Sequence, residues 1–295
     1  MPNPQIPHTS ETQKTSTAFA PTETGFQYRL TRLVDGEKLR TADLGEWLGA
    51  DSIADECWLF VAPHDDDLCL GAGLLMQAAM QAGVNVRVAI VTDGRLGYCR
   101  IEQEDNIIEI REQETIRSFQ ILGIEQDRIR FLGFPDGGLI PYIGRRKHQG
   151  EGPEVQGYTG LQNSFTSVLR ECRPARVFVP SPADLHPDHR ITHSELMISL
   201  FHATGAIWPE LGAPLMDVPV VYEMAVYCDF PQPPNLELIS NDELFQAKLA
   251  SVKAFQSQVQ ISALVESVRK AGPYEYIREV GFPLYCAETY KPMFR

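Results

Sequence analysis

The sequence predicts an α/β fold with a Rossmann-like, doubly wound and mainly parallel sheet that carries helices on both faces. Three observations lead to this prediction. Short apolar runs alternate with longer amphipathic segments, glycines close several of those segments, and clusters of polar residues follow the apolar runs. Alternation of this kind is typical of βαβ units, in which helices cover both faces of a parallel sheet. The chain has 295 residues, 43% of them hydrophobic, so it can bury a sizeable core.

Five apolar runs are predicted to form strands, because they are short and are bounded by glycine, proline or polar residues. In chain order they are 57–63, 85–94, 128–138 (a strand with the loop after it), 175–182 and 218–230. The first of them, "CWLFVAP", is apolar almost throughout. We therefore predict a buried strand there.

Four longer segments are predicted to form helices, and they are 70–83, 106–123, 161–173 and 242–258. The second of them repeats apolar residues at helical spacing, which is typical of an amphipathic helix. Gly83 and Gly123 are expected to end the first two helices, because glycine readily adopts the left-handed conformation that closes many helices.

We expect one domain, residues 26–295, preceded by a disordered tail, residues 1–25. The tail is rich in Pro, Thr, Ser and Gln, a composition that does not support a packed core. The remainder contains no Ser/Gly linker, internal repeat or long block of like charge. Two loops, around 94–105 and 139–160, are expected to lie near the functional site.

The charge and the cysteines exclude several classes of function. The formal net charge of −13 argues against binding nucleic acid or anionic lipid through a broad basic face. No apolar run approaches the roughly 20 residues of a membrane span, and the N-terminus lacks the apolar core of a secretory signal. Six scattered cysteines without a Cys-x-x-Cys pair are typical of reduced thiols. We therefore expect a cytoplasmic protein.

Polar clusters follow four of the predicted strands. They are "PHDDD" (63–67), "TDG" (92–94), "FPDGG" (134–138) and "PADLHPDH" (182–189). In open α/β sheets, ligands bind beyond the carboxyl ends of the strands. The four clusters are therefore expected to converge on one edge of the sheet and to form the functional site there.

Two of these clusters have the composition of a metal site. His64 and Asp67 are three residues apart at a predicted strand–helix junction, and His186 and His189 repeat this spacing at another. Imidazole and carboxylate are good zinc ligands, and catalytic zinc sites usually have three protein ligands and one open position. His64, Asp67 and one histidine of "HPDH" would form such a set. Either motif alone is also compatible with a solvated surface turn.

The spaced motifs resemble the LmbE/PIG-L family of zinc-dependent N-acetylglucosaminyl deacetylases. The resemblance covers about 57–200 and includes "PHDDD", "REQETIRSFQILGI", "FLGFPDGGL" and "HPDHR", in the order of that family. A weaker similarity follows in "KAFQSQ" (253–258) and "CAETY" (286–290). The resemblance implies an LmbE-like fold with one Zn²⁺ per chain.

The resemblance also implies a role for each residue of the two main motifs. His64, Asp67 and His189 correspond to the zinc ligands. Asp66 corresponds to the general base, which takes a proton from the attacking water. His186, in its protonated form, corresponds to the residue that supports the oxyanion.

Other positions correspond to residues around the metal and the substrate. Asp188 would orient a neighbouring imidazole. Arg111 and Asp136 match positions that contact sugar hydroxyls, although Arg111 is also compatible with an ion pair to a glutamate on the surface of its own helix. Tyr98 and Tyr142 lie in predicted loops and are candidates for stacking on a sugar ring.

The chain departs from the family pattern at three positions. Asp65 stands where the family usually has proline, and Leu68 stands where it usually has glutamate. Phe255 replaces the histidine of a late His-x-Ser-Gln motif, which puts the contacts of that motif in question. The implied ligands and base are unchanged by these departures.

The implied activity is hydrolysis of the N-acetyl group of an N-acetylglucosamine-type substrate, releasing acetate and a free amine. Two alternatives remain open: a metal-dependent amidase or deacylase for another N-acyl substrate, and a catalytically silent sugar-binding relative. The expected partner is a small N-acetylated sugar, with no nucleic acid and no membrane span. The resemblance also suggests a homo-oligomer, a trimer or a hexamer.

Overall fold

A computed structural model describes residues 27–282 and 285–295 of the chain. The predicted tail, residues 1–25, lies outside the described residues. Within them the strands are β1 (Tyr28–Val34), β2 (Glu37–Thr41), β3 (Cys57–Ala62), β4 (Asn85–Thr92), β5 (Ile129–Phe134), β6 (Arg146–Lys147), β7 (Tyr158–Thr159), β8 (Arg176–Pro180), β9 (Val220–Met224), β10 (Leu236–Ser240) and β11 (Tyr274–Val280). The α-helices are α1 (Leu44–Leu48), α2 (Asp67–Gly71), α3 (Gly73–Gln81), α4 (Ile107–Ile121), α5 (Leu161–Cys172), α6 (Pro187–Thr204), α7 (Asp242–Lys253) and α8 (Ile261–Ala271).

Nine strands form one mixed sheet in the order β2-β1-β10-β11-β9-β8-β3-β4-β5, and β6 and β7 form a separate ribbon. The five strands from β9 to β5 pair in parallel. The other four extend the sheet through antiparallel pairings. The predicted α/β fold is confirmed. The parallel part corresponds to the five predicted strands, whereas the sequence did not predict the antiparallel extension.

Helices cover both faces of the parallel part, as predicted. Side chains of β3 alternate between two apolar cores, with Trp58 and Phe60 on one face and Leu59 and Val61 on the other, because successive strand residues point in opposite directions. Helices α1 to α4, α7 and α8 contribute to the first core, and α5 and α6 contribute to the second. No helix among the described residues has both the length and the apolarity that a bilayer crossing requires.

Several predicted elements differ from the observed ones, and the predicted helix 242–258 ends early, at Lys253. The predicted helix 70–83 is split into α2 and α3, because Ala72 has a non-helical conformation (φ −144°, ψ 17°). The first free N–H groups of α3 are bonded to the carboxylate of Glu275. The predicted strand 218–230 is shorter than expected, since β9 ends at Met224. The segment 139–160 includes the short β6–β7 ribbon and is therefore not entirely loop.

Main-chain hydrogen bonds hold the carboxyl ends of the parallel strands together. The N–H of Thr92 donates to the carbonyl of Pro63 at 2.9 Å, and the N–H of Asp93 donates to the carbonyl of Phe134 at 2.9 Å. The sheet order places β3 between β4 and β8. The chain therefore leaves β3 toward β4 and later returns to its other side, which makes the end of β3 a topological switch point where ligands commonly bind.

Candidate active site

The three successive aspartates at the end of β3 have different partners. Asp65 accepts a hydrogen bond of 2.7 Å from Nε of Arg111 and also contacts its Nη2. Asp66 accepts a hydrogen bond of 2.8 Å from Nε2 of Gln258. Asp67 faces two imidazoles and is fully buried. Repulsion among the adjacent carboxylates is thus relieved because each meets a separate donor.

His64, Asp67 and His189 place three ligand-type atoms in a small triangle. His64 Nδ1 lies 3.2 Å from His189 Nε2 and 3.5 Å from Asp67 Oδ2. His189 Nε2 lies 3.4 Å from the same oxygen. The centre of such a triangle lies about 2 Å from each atom, which is the length of zinc–nitrogen and zinc–oxygen bonds. These are the three residues for which the sequence predicted a ligand role, and their donor atoms fit one divalent metal ion.

Two other sets of atoms lie close enough to be considered. Ligand atoms of His64, His186 and His189 lie within 4.8 Å of one another, as do those of His64, Asp136 and Asp188. All three edges of the triangle with Asp67 are 3.5 Å or shorter. In addition, Oδ1 of Asp67 is buried and has no hydrogen-bond partner. A cation beside this carboxylate would offset its burial, which favours the triangle as the metal site.

The pKa values of His64 and Asp67 reflect a strongly negative environment. Burial lowers the pKa of His64, but the carboxylates of Asp136, Asp188 and Asp67 outweigh it and hold that pKa well above its usual range. Burial raises the pKa of Asp67, but hydrogen bonds from His189 and His64 outweigh it and hold that pKa below its usual range. Without metal, a protonated imidazole therefore supplies the positive charge that the surrounding carboxylates require.

Asp184 lies behind His189 and was not assigned a role from the sequence. Its Oδ2 lies 3.3 Å from His189 Nδ1, on the side of the ring opposite to the triangle. The carboxylate also accepts hydrogen bonds from the N–H groups of His186, at 3.0 Å, and Tyr227, at 3.2 Å. A carboxylate in this position orients a metal-binding imidazole. The available sequence signal was its place within "PADLHPDH", two residues before His186.

Asp188 and Asp136 both lie next to His64. Oδ2 of Asp188 is 3.5 Å from His64 Nε2, and this carboxylate also accepts a hydrogen bond of 2.8 Å from the N–H of Gly137. Oδ1 of Asp136 is 3.3 Å from the same nitrogen. The imidazole beside Asp188 is thus that of His64. Asp136, expected near sugar hydroxyls, directs one oxygen toward His64 and accepts a hydrogen bond from Leu96 N–H with the other.

His186 precedes the first turn of α6, and its Nδ1 accepts a hydrogen bond of 3.3 Å from the N–H of Asp188. Its ring centroid lies 4.5 Å from that of His64. Burial and the charge of His64 lower the pKa of His186. These observations favour a neutral ring with the proton on Nε2. They argue against the protonated form expected from the sequence, because a cationic neighbour disfavours a second positive charge.

Arg111 is buried at the wall of the site. Its guanidinium binds Asp65, lies 5.0 Å from the ring centroid of Phe255, and keeps Nη1 without a hydrogen-bond partner. Glu114 does not pair with it, but accepts hydrogen bonds of 2.7 Å from the N–H and the hydroxyl of Ser257. The late "FQSQ" segment therefore reaches the site despite the replacement of histidine by Phe255. The surface ion pair considered for Arg111 does not form.

A cavity of about 210 Å³ opens beside the triangle. The residues that line it are His64, Asp65, Asp66, Gly94, Gly97, Arg111, Asp136, His186, Tyr227 and Gln258. Gly94 and Gly97 come from the predicted 94–105 loop. Tyr98 is half-buried in the same loop and is not one of the lining residues; the 139–160 segment contributes none of them either. Tyr227 and Gln258 were not predicted, because neither belongs to a strand-end cluster.

Comparisons with known proteins agree with this fold. The family model of the GlcNAc-PI de-N-acetylase (PIG-L) matches residues 59–199. Diacetylchitobiose deacetylase of Thermococcus kodakarensis is 29% identical over 136 residues, which are 45% of this chain and 44% of that protein. The 1D-myo-inositol 2-acetamido-2-deoxy-alpha-D-glucopyranoside deacetylase of Kineococcus radiotolerans is 29% identical over 166 residues, 50% of this chain and 45% of the relative. The matched segments thus span about half the length of these curated relatives.

A solved structure extends the similarity beyond the matched segments. The crystal structure of a conserved protein from Thermus thermophilus superposes with a TM-score of 0.60 and 26% sequence identity. The superposition covers 78% of this chain and 97% of that chain. Sequence motifs, family model and fold therefore agree, and the resemblance to the PIG-L family is confirmed over residues 59–199.

Proposed function

We propose that this chain is a metal-dependent hydrolase that removes the N-acetyl group from an N-acetylglucosamine-type substrate. The observation that carries the proposal is the triangle of His64, Asp67 and His189 atoms beside the carboxylate of Asp66. The activities named for the two curated relatives support it. The products are acetate and a free amine.

We propose zinc as the metal, with one ion per chain. Two imidazole nitrogens and one carboxylate oxygen form a typical catalytic zinc set, which leaves a position open for water or substrate. When bound there, zinc lowers the pKa of water and polarises the amide carbonyl. His64 and His189 would each turn their second ring nitrogen toward a carboxylate, as metal-binding histidines commonly do.

Asp66 is the proposed general base. Its carboxylate lines the cavity, whereas that of its neighbour Asp67 faces the two imidazoles. Oδ2 of Asp66 is held by Nε2 of Gln258 at 2.8 Å and lies 3.8 Å from Nη2 of Arg111. Asp66 takes a proton from the attacking water and then returns it to the departing amine.

His186 is the proposed donor to the oxyanion. Because its Nδ1 accepts a hydrogen bond from the main chain, Nε2 carries the proton and donates to the carbonyl oxygen as negative charge develops there. Loss of one such donor typically lowers the rate by ~10²–10³-fold. The neutral imidazole suffices for this role and needs no second proton.

The rest of the cavity would hold the sugar. Arg111 and Asp136 both line the cavity, and a guanidinium donor and a carboxylate acceptor are suited to sugar hydroxyls. Tyr98 lies in the adjoining loop and is proposed to contact the substrate from outside the cavity. A volume of about 210 Å³ is below the ~300–1,000 Å³ typical of drug-sized ligands, which suits a single sugar ring.

We extend the proposal to the chain as a whole. Residues 26–295 are proposed to act as one deacetylase domain. All six cysteines are free thiols, which supports a reducing compartment and hence a cytoplasmic location. A homo-oligomer is proposed from the family resemblance, and light scattering of the purified protein tests it.

A product screen tests the proposed activity. Zinc-loaded protein is incubated with a panel of N-acetylhexosamine derivatives, and mass spectrometry and an acetate assay follow the loss of acetyl. We expect equal amounts of acetate and free amine, and almost no product from Asp66→Asn. Faster hydrolysis of longer N-acyl groups would instead identify a deacylase. A fully metal-loaded protein that binds the sugars without turnover would be a silent relative.

A further inference from the structure

We propose that the group attached to the sugar, the aglycone, is uncharged or cationic, and that Asp65 excludes anionic conjugates by occupying Arg111. This inference rests on the proposed deacetylase function and names its substrate class. It follows from the balance of charges around the cavity and from the partners of two arginines.

The cavity carries an excess of negative charge. Asp65, Asp66 and Asp136 line it, and Asp67 and Asp188 lie directly behind His64. Among the residues that line the cavity, Arg111 is the only arginine or lysine. One guanidinium and one divalent cation do not balance five carboxylates, so the cavity remains negative when metal is bound.

Because Arg111 is already bound to Asp65, it is not available to bind an anionic group of the substrate. Arginine typically grips a carboxylate or phosphate with two parallel N–H groups. In this chain Nε and Nη2 of Arg111, which form one such edge, are directed to the two oxygens of Asp65. Both side chains are at most 7% exposed. The remaining nitrogen, Nη1, is buried without a partner, so the guanidinium offers an incoming anion no free edge of two N–H groups.

A second arginine, which follows the lining residue Gly94 in the chain, has the same kind of partner. Arg95 follows Gly94 and is half-exposed, but its Nε donates to Oδ2 of Asp93 at 2.8 Å and its Nη2 donates to the same oxygen at 2.5 Å. Arg95, like Arg111, is therefore matched by a carboxylate of the chain itself.

The aglycone would lie within range of this negative field. Because the cavity has room for about one sugar ring, the group attached to the sugar must extend toward the opening. Unit charges interact over about 8–10 Å at moderate salt. A carboxylate or phosphate on the aglycone would be repelled there, whereas an amine would be attracted.

Three glycosides of similar size test the inference. Wild-type enzyme is compared on aminoethyl, hydroxyethyl and carboxymethyl glycosides of N-acetylglucosamine, with kcat/KM from acetate release. At low ionic strength we expect kcat/KM to fall in that order, by about fivefold or more for each step in charge. The differences should shrink at ~0.5 M salt because of screening. Equal or faster hydrolysis of the carboxymethyl glycoside would overturn the inference.

Asp65→Asn tests the residue itself. It removes the negative charge from Arg111, so the ratio of kcat/KM for the carboxymethyl glycoside to that for the hydroxyethyl glycoside should rise at least about fivefold. Because both substrates use the same enzyme, a general loss of activity cancels in this ratio. Glu109→Gln, an exposed carboxylate on the same helix as Arg111, is the control and should leave the ratio unchanged. An unchanged ratio in Asp65→Asn overturns the role of Asp65.

The two proposals fail in different ways. If the enzyme hydrolyses the neutral glycoside but prefers the anionic one, only the proposed substrate class is wrong, and the deacetylase function stands. If the metal-loaded enzyme releases no acetate from any of the three glycosides, both the proposed deacetylase function and the proposed substrate class are wrong. If Asp65→Asn does not fold, the wild-type comparison alone decides the charge preference.

Discussion

Asp66 and Asp67 are adjacent, yet their different partners give them separable proposed roles. We predict that Asp66→Asn retains about one zinc per chain, because the triangle does not include this residue. Turnover should fall by ~10²–10⁴-fold, since an amide cannot accept the proton of the attacking water. Atomic emission measures the metal and acetate release measures the activity. Near-normal turnover in this variant would remove Asp66 from the mechanism.

His189 provides the complementary test of the metal site. His189→Ala removes one corner of the triangle, so we expect loss of zinc and of activity together. His148→Ala is a matched control, because His148 lies in the 139–160 segment and does not line the cavity. Full zinc occupancy in His189→Ala, measured by atomic emission after dialysis, would contradict the ligand assignment.

The raised pKa of His64 predicts how metal binding depends on pH. In the metal-free protein this imidazole stays protonated above its ordinary pKa, and its stabilising contribution is lost only as pH rises through the raised value. Zinc needs the neutral ring, so binding must displace that proton. Zinc affinity, measured by chelator competition, should therefore rise about tenfold per pH unit from pH ~6 toward the raised pKa. An affinity that does not change with pH would contradict this linkage.

The motif residues could be predicted from the sequence because their spacing is local. His64 and Asp67 are three residues apart, and the family resemblance selected His189 from the two histidines of its motif. Asp184 and Gln258 could not be assigned in the same way. Their functional contacts depend on which loops meet in the folded chain, and neither residue type is unusual at such positions.

At the scale of elements, the start of α3 depends on a buried ion pair between distant parts of the chain. The carboxylate of Glu275, on β11, accepts hydrogen bonds of 2.8 and 2.9 Å from the N–H groups of Leu74 and Leu75. Nζ of Lys248, on α7, donates to the same carboxylate at 2.6 Å and to the carbonyl of Leu70 at 2.8 Å. This contact fixes α2 and α3, the two helices that follow β3.

We predict that Glu275→Ala lowers the free energy of unfolding by about 3–5 kcal/mol, because it leaves the ammonium of Lys248 buried without its carboxylate. The double variant with Lys248→Met should lose less than the sum of the single variants. Urea unfolding measures both. Glu266→Ala, in an exposed pair on α8, should cost at most about 1 kcal/mol. A similarly small loss in Glu275→Ala would show that this ion pair does not hold α3.

The same contact explains why the sequence did not reveal the break between α2 and α3, and why 70–83 was predicted as one helix. Its interruption at Ala72 depends on Glu275, which lies about 200 positions away, and no local pattern reveals such a contact. The antiparallel strands were missed for a different reason. Residues of β2 are almost all exposed and β1 has a single fully buried residue, Leu30, so neither produces the apolar run by which the parallel strands were identified.

At the scale of the whole molecule, the metal would join two layers of the fold. His64 and Asp67 lie where β3 meets α2, against the first core, whereas His189 lies on α6, against the second. A ligand that binds only the folded state stabilises it by about 2.7 kcal/mol at 100-fold excess over its Kd. We therefore predict that chelation lowers Tm by roughly 5 °C or more.

Differential scanning calorimetry with and without a chelator measures this shift, and added zinc should reverse it. His189→Ala should show no further decrease on chelation, because its site is already incomplete. An equal decrease in His189→Ala would mean that the chelator acts elsewhere on the protein.

The proposed metal ligands lie at the end of β3 and on α6, whereas part of the cavity wall comes from the connection between β4 and α4. Because the proposed metal ligands lie on the scaffold and part of the substrate-contacting wall lies in a connecting loop, the loop can change without altering the metal site. Exchanging residues 94–105 between relatives is thus a practical route to enzymes that accept new conjugates while retaining the same metal chemistry.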